Sequence, residues 1–171
     1  MDIQEEIVNK VAQSGLVSVD PASFYPQGER VLYDIKDNLY MGLILREKDF
    51  REFVKEHNWE QYTGKYIAIT CSADAIVPTW AYMLLANRMA PYAREIVFGN
   101  LDILETILFE KALRELNVEQ YRDKRVVIKG CGDVAVPNSA YIELTSRLTP
   151  VVKSLMFGEP CSTVPIYKKK D

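Results

Sequence analysis

The feature that most constrains the fold of this chain is an internal repeat. Residues 42–100 can be laid over residues 101–159 without a gap, and 20 of the 59 aligned positions are identical. The motif Asn-x-Glu-Gln-Tyr occurs in both segments, at 58–62 and 117–121. Shared composition alone does not produce this agreement, so the repeat predicts an internal duplication in which both copies fold alike.

Each copy contains the pattern of two helices and two strands. Apolar residues at helical spacing precede a short, nearly continuous apolar run, and Pro78 or Pro137 then stands where a second helix should begin. Strands are predicted near 31–35, 65–70, 95–98, 125–129 and 153–157. This alternation predicts an α/β fold with a mainly parallel sheet of about five strands and helices on both faces.

The length of 171 residues favours one domain. We expect a single α/β domain over 1–171, in which 1–41 supply an N-terminal helix (residues 3–13), a loop and the first strand. The two repeats follow at 42–100 and 101–159, and 160–171 form a tail.

Composition excludes several classes of partner. The chain has 21 Lys and Arg against 24 Asp and Glu, so its net charge is 21 − 24 = −3, which argues against a nucleic-acid partner. No apolar run is long enough to span a bilayer, and the first residues are acidic where a signal peptide is basic, so we expect a cytoplasmic protein without a membrane partner. A homo-oligomer and a small-molecule ligand both stay open.

The three cysteines are predicted to lie at one edge of the sheet. Cys71 and Cys131 follow equivalent strands, and Cys161 follows the last strand. In parallel sheets, ligands bind at the carboxyl ends of the strands. Three thiolates there could hold zinc or an iron–sulfur cluster. The alternatives are small buried thiols with a structural role and reactive thiols without metal.

Other side chains near this edge are candidates for a pocket or for contacts to the thiols. Asp74 and Asp133 occupy equivalent loop positions, where they could act as an acid–base pair or simply as loop and capping residues. The aromatic candidates could wall a pocket or pack into the core. The complete set of candidates is Ser72, Asp74, Trp80, Tyr82, Asp133, Tyr141 and Ser162.

Residues outside this edge are predicted to have structural roles. His57, the only histidine, closes a helix at the opposite edge, which argues against Cys–His catalysis. Arg88 and Arg147 stand near helix ends, where they can donate to the last carbonyl groups.

Several segments resemble a known family. They are Glu6–Val11, Tyr25–Arg30, Thr70–Trp80 and Gly158–Pro165. They are similar to those of the bacterial family catalogued as domain of unknown function 2480, seen mainly in Bacteroidetes. The resemblance implies a stand-alone cytoplasmic protein and carries no activity with it.

Three functions are therefore expected as alternatives. The first is a cytosolic metal- or iron–sulfur-binding protein with a three-cysteine site. The second is a metal-free small-molecule binder or thiol enzyme that uses the same edge, and the third is a non-catalytic interaction scaffold. The sequence leaves open whether the protein is an enzyme.

Overall fold

The computed structural model describes residues 15–130, 132–159 and 161–170. The helix predicted over residues 3–13 lies outside these ranges. The described residues divide into two compact units. We call 15–26 with 108–170 the terminal unit and Gln27–Ile107 the central unit. The organisation as a single domain stays a prediction.

Seven strands and four α-helices are present in the described ranges. In chain order they are β1 Leu16–Val19, β2 Arg30–Asp34, α1 Glu47–Glu56, β3 Tyr66–Thr70, α2 Thr79–Met89, β4 Glu95–Phe98, α3 Leu101–Arg114, β5 Arg125–Ile128, α4 Asn138–Leu148, β6 Ser154–Glu159 and β7 Ser162–Lys168. Short 3-10 helices cover Pro21–Phe24, Ile35–Asn38, Trp59–Tyr62 and Val118–Tyr121.

All five predicted strands are present, but the prediction that they form one sheet is wrong. The central unit contains a three-stranded parallel sheet in the order β2-β3-β4. The terminal unit contains a four-stranded sheet in the order β1-β5-β6-β7, in which only the β6–β7 pair is antiparallel. Strands β1 and β7 were not expected, and each adds an edge to the terminal sheet.

One internal strand of each sheet, β3 or β5, is buried on both faces, as its apolar run predicts. Ile67, Ala68 and Ile69 of β3 are all buried, and so are the three apolar residues of β5. Each unit has its own cluster of buried apolar side chains around this strand. A continuous apolar run is stable in a parallel strand because helices or loops cover both of its faces.

The two units are built from matching elements. The bounds of α4 are those of α2 plus 59, and the 3-10 helix 118–121 is displaced by the same amount from 59–62. Asn58 and Asn117 cap these 3-10 helices in the same way, because each side chain accepts a hydrogen bond from the amide two residues later.

The second helix of each copy begins one residue later than its proline suggests. Pro78 and Pro137 have extended backbone and stand just before α2 and α4. Neither helix has a side-chain cap. The third amide of each helix, that of Ala81 or Ala140, donates to the carbonyl oxygen of Pro78 or Pro137. At most the first two amides of each helix can therefore bind another partner.

The prediction that His57 ends a helix is confirmed, whereas Arg147 binds a loop carbonyl group and not the last carbonyl groups of its own helix. His57 closes α1 as its C-terminal cap. Arg147 donates from one guanidinium nitrogen to the carbonyl oxygen of Leu116, just beyond the end of α3, at 2.9 Å.

Candidate functional site

The carboxyl end of the central sheet is organised by Asp34, a residue that the sequence analysis did not single out. One carboxylate oxygen accepts the amide of Ser72 at 3.0 Å and that of Lys36 at 3.1 Å. The other oxygen accepts the hydroxyl of Ser72 at 2.5 Å. Asp34 therefore joins the end of β2 to the loop that follows β3.

These hydrogen bonds determine the ionisation of Asp34. Partial desolvation acts to raise the pKa of this carboxyl, but the bonds from the hydroxyl and amide of Ser72 and from Lys36 outweigh it and lower the pKa to about 2. The carboxylate is accordingly charged at any physiological pH. Its role here is to hold the loop, since a group with so low a pKa is a poor general base near neutrality.

Cys71 and Tyr82 lie near this carboxylate. The thiol of Cys71 is half-buried and donates to the carbonyl oxygen of Ala73 at 3.7 Å. Burial raises the pKa of Tyr82, and electrostatic interaction with the neighbouring Cys71 and Asp34 raises it further, so the phenol stays neutral. The structure thus brings three of the candidates, Cys71, Ser72 and Tyr82, into one neighbourhood.

The other candidates of the central unit face elsewhere. The indole of Trp80 packs edge-on against Phe50, with ring centroids 5.9 Å apart, and the guanidinium of Arg51 lies over the indole ring, 5.5 Å from its centroid. Trp80 is therefore part of the core wall, which was the structural alternative for this residue. Asp74 is exposed in the loop before α2.

The terminal unit carries a cavity at the carboxyl ends of its parallel strands. Its volume is about 560 Å³. The floor is formed where β1 and β5 end, and the loop 132–138 with the start of α4 forms one wall. This is the position where ligands bind in open parallel sheets, and the volume falls in the range of about 300–1,000 Å³ found for ligand pockets.

The lining of this cavity combines apolar walls with a few polar groups. The apolar side chains come mainly from β5, the loop before α4, β6 and β7, and they include Ile128, Val134, Val136, Phe157 and Ile166. The polar side chains are Asp20, Lys129, Asn138, Tyr141 and Thr145. Such a lining is typical of sites that bind a small organic molecule in a defined orientation.

Tyr141 is the candidate that the structure places in the cavity. Its ring packs edge-on against Phe157, with centroids 5.7 Å apart, and both side chains line the space. The equivalent pair in the central unit, Tyr82 with Phe98, has nearly the same geometry at 5.2 Å. The aromatic pair is thus a shared feature of both units, while only Tyr141 lines this cavity.

Gly130 and Gly132 line the cavity and leave space there because they have no side chains. A Cβ atom on Gly130 would lie 2.3 Å from the ring of Phe157, so this position accepts no side chain while the ring keeps its place. A Cβ atom on Gly132 would meet only the methyl group of Ala22 at 3.6 Å. Both glycines line the cavity, where the backbone comes directly to its surface.

The remaining candidates are scattered or lie outside the described residues. Cys161 and Ser162 are exposed at the turn between β6 and β7, and Asp133 is exposed in the loop before α4. Cys131 is outside the described ranges. Among the residues that the structure describes, no three His, Cys, Asp or Glu side chains are grouped so that they could hold a metal ion. The three-cysteine site stays a prediction.

Sequence analysis missed Asp20 and Asp34, and a local signal for them exists. Each is the residue at the end of an edge strand, and each side chain caps the 3-10 helix that follows. Asp20 accepts the amide of Ala22 at 2.9 Å. An Asp that ends an apolar run and precedes a turn is a recognisable capping pattern, but β1 and β2 lie outside the segments compared in the repeat.

Comparison with known proteins gives one match. A family model described as "Protein of unknown function (DUF2480)" matches residues 5–169, nearly the whole chain. No curated protein and no solved structure matches. Within the described residues, no helix has the length and apolar character required to cross a membrane.

Proposed function

The chain belongs to the DUF2480 family, and we propose that it is a small-molecule-binding protein whose ligand occupies the cavity of the terminal unit. The observation that carries the proposal is the position of this cavity, at the carboxyl ends of β1 and β5, together with its mixed lining. Apolar walls supply affinity through buried area, and the few polar groups orient the ligand.

The lining indicates the chemistry of the ligand. Phe157, Val136 and Ile166 favour a compact apolar body. The start of α4, which has no side-chain cap, contributes amide donors and a partial positive charge near Asn138. We therefore expect a ligand with a small apolar body and a hydrogen-bond-accepting group that is directed toward this helix.

The proposal includes the origin of the site by duplication. In the central unit, the positions equivalent to Gly130 and Gly132 are Cys71 and Ala73. The loop of the central unit therefore carries side chains at the two positions where the loop of the terminal unit has none. We infer that two copies of one unit diverged at this loop and that the terminal copy gained space for a ligand. The cytoplasmic location expected from the sequence belongs to the same proposal, and the free thiols of Cys71 and Cys161 support it.

The test is a binding screen with a defined library of small amphiphilic fragments, read by protein NMR. Binding is expected to shift the amide signals of Gly130 and Gly132, which border the cavity. Gly132→Leu fills the mouth and should abolish these shifts. Ala73→Leu, the equivalent change in the central unit, is the matched control and should leave them unchanged. Fragments that bind equally well to both variants would refute the proposed site.

The metal hypothesis is tested separately. Cys71, Cys131 and Cys161 as ligands of zinc or of an iron–sulfur cluster predict stoichiometric metal in the anaerobically purified chain. A cluster would also give a visible absorption spectrum. Folded protein that contains neither metal nor chromophore would remove this hypothesis and leave the cavity proposal intact.

A further inference from the structure

The outer edge of β4 in the central unit differs from the equivalent edge in the terminal unit. Strand β6 corresponds to β4 in the repeat, and β7 pairs with it in antiparallel fashion along its length. After β4 the chain turns through Gly99 directly into α3. No strand in the described part of the chain pairs with the outer edge of β4.

The two edges also differ in how they are protected. Strand β7, the outermost strand of its sheet, contains Pro165, a register shift opposite Leu155 and Met156, and a lysine at its end. These features discourage further strand pairing. Strand β4 has the sequence Glu-Ile-Val-Phe and contains none of these devices. A strand edge without a proline or a register shift presents backbone groups that a second strand can bind.

An apolar groove runs beside this edge. It is lined by residues of β3, α2 and β4, among them Tyr82, Met83, Ala86 and Phe98, and its volume is about 240 Å³. The side chains of Phe98 and Met83 are 70% and 67% exposed. In the terminal unit, where β7 covers the edge, the equivalent Phe157 is only 39% exposed.

We propose that β4 pairs in antiparallel fashion with β4 of a second copy of this chain, which joins two central sheets about a two-fold axis. The terminal unit shows that an edge of this type accepts an antiparallel neighbour. A two-fold axis produces that arrangement from one strand and its own copy. If the axis passes opposite Val97, the outward-facing Ile96 of each copy stands opposite Phe98 of the other. The Glu95 carboxylates of the two copies then stand at opposite ends of the pair, where they do not repel each other.

The size of the surface sets the expected strength. Phe98 and Met83 from each copy, with the strand edges between them, bury several hundred Å² at most, on the order of half of a standard interface of about 1,600 Å². The dimer should therefore be weak and dependent on concentration. The proposal is independent of the ligand cavity, which lies in the terminal unit.

Sedimentation velocity of the full chain over a wide range of concentration tests the proposal. The wild type should shift from monomer to dimer as concentration rises. Met83→Lys places a charge in the groove at an exposed helix position and should weaken dimerisation by about tenfold or more. Ile142→Lys is the matched control, because Ile142 is the equivalent residue of the terminal unit and is 70% exposed. It should leave the dimer unchanged.

A second measurement reads the strand edge directly. The amide of Gly99 donates to Ile69 in β3, so alternation along β4 directs the amides of Ile96 and Phe98 outward. Their NMR signals should move as concentration rises, and the amide of Val97 should move less. A monomer at all concentrations, or equal effects of the two lysine variants, would overturn the proposal. So would a monomer that binds a peptide of the β7 sequence Ser162–Lys168, since the edge would then serve a separate extended segment.

Discussion

Replacement of Asp34 by asparagine should destabilise the central unit by an amount that depends on pH. The charged carboxylate accepts two amides and one hydroxyl and also lies 3.4 Å from the ammonium group of Lys36. Its side chain is only 14% exposed. Asparagine is uncharged and has one acceptor oxygen in place of two. Either the amide or the hydroxyl of Ser72 therefore loses its hydrogen-bond acceptor.

The expected magnitude follows from the pKa. A pKa lowered from 3.8 to about 2 corresponds to at most about 2.5 kcal/mol of folding free energy, and solvent screening reduces this to roughly 1 kcal/mol. Because the folded pKa lies below the unfolded value, this stabilisation is complete above about pH 5. It is lost as the pH falls through 3.8 toward 2. The difference between wild type and Asp34→Asn should shrink over the same interval.

Urea unfolding followed by tryptophan fluorescence measures this difference in the correct unit. The chain has two tryptophans, Trp59 and Trp80, and both lie in the central unit. The indole of Trp59 is buried and donates to the carbonyl oxygen of Val54 at 2.8 Å, so unfolding changes its surroundings completely. A double-mutant cycle with Ser72→Ala isolates the contribution of the hydroxyl. An Asp34→Asn effect that is equal at pH 7 and pH 3 would refute the reasoning.

Three further predictions concern other residues. Burial among aromatic rings lowers the pKa of His57 below 6.5, so an NMR titration of this single histidine should show a midpoint below 6.5. The contribution of the neutral imidazole to the free energy of unfolding should be lost as the pH falls below 6.5. A midpoint above 6.5 would contradict this. Cys161 is exposed and Cys71 is half-buried. Limited alkylation followed by mass spectrometry should therefore modify Cys161 before Cys71, and the reverse order would contradict these exposures. Gly130→Ala should lower the stability of the terminal unit by about 1–3 kcal/mol, because the new Cβ atom would force the ring of Phe157 aside. Unchanged ring signals of Phe157 in NMR spectra of this variant would disprove the close packing.

The predicted cysteine edge shows how far sequence reasoning reached into the site. The rule that ligands bind at the carboxyl ends of parallel strands predicted Tyr141 and the loop before α4 at the edge of the terminal sheet where the structure has a cavity. The same rule predicted that Cys71, Ser72 and Tyr82 lie near one another at the carboxyl end of the central sheet. It could not anticipate that Asp34 binds Ser72, since these residues are 38 positions apart and no local pattern links them.

Local sequence by itself determined the elements of this protein. Apolar runs and helical spacing identified the five core strands, and the 59-residue repeat identified the matching helices. Only tertiary structure decided which strands pair. Ser18 interrupts the apolar run of β1, and β7 contains Pro165, so neither strand has a clear signal of its own. Both strands form because a neighbouring strand completes their backbone hydrogen bonds. The neighbour of β1 is β5, which lies far from it in the sequence, so no local pattern reveals this pairing.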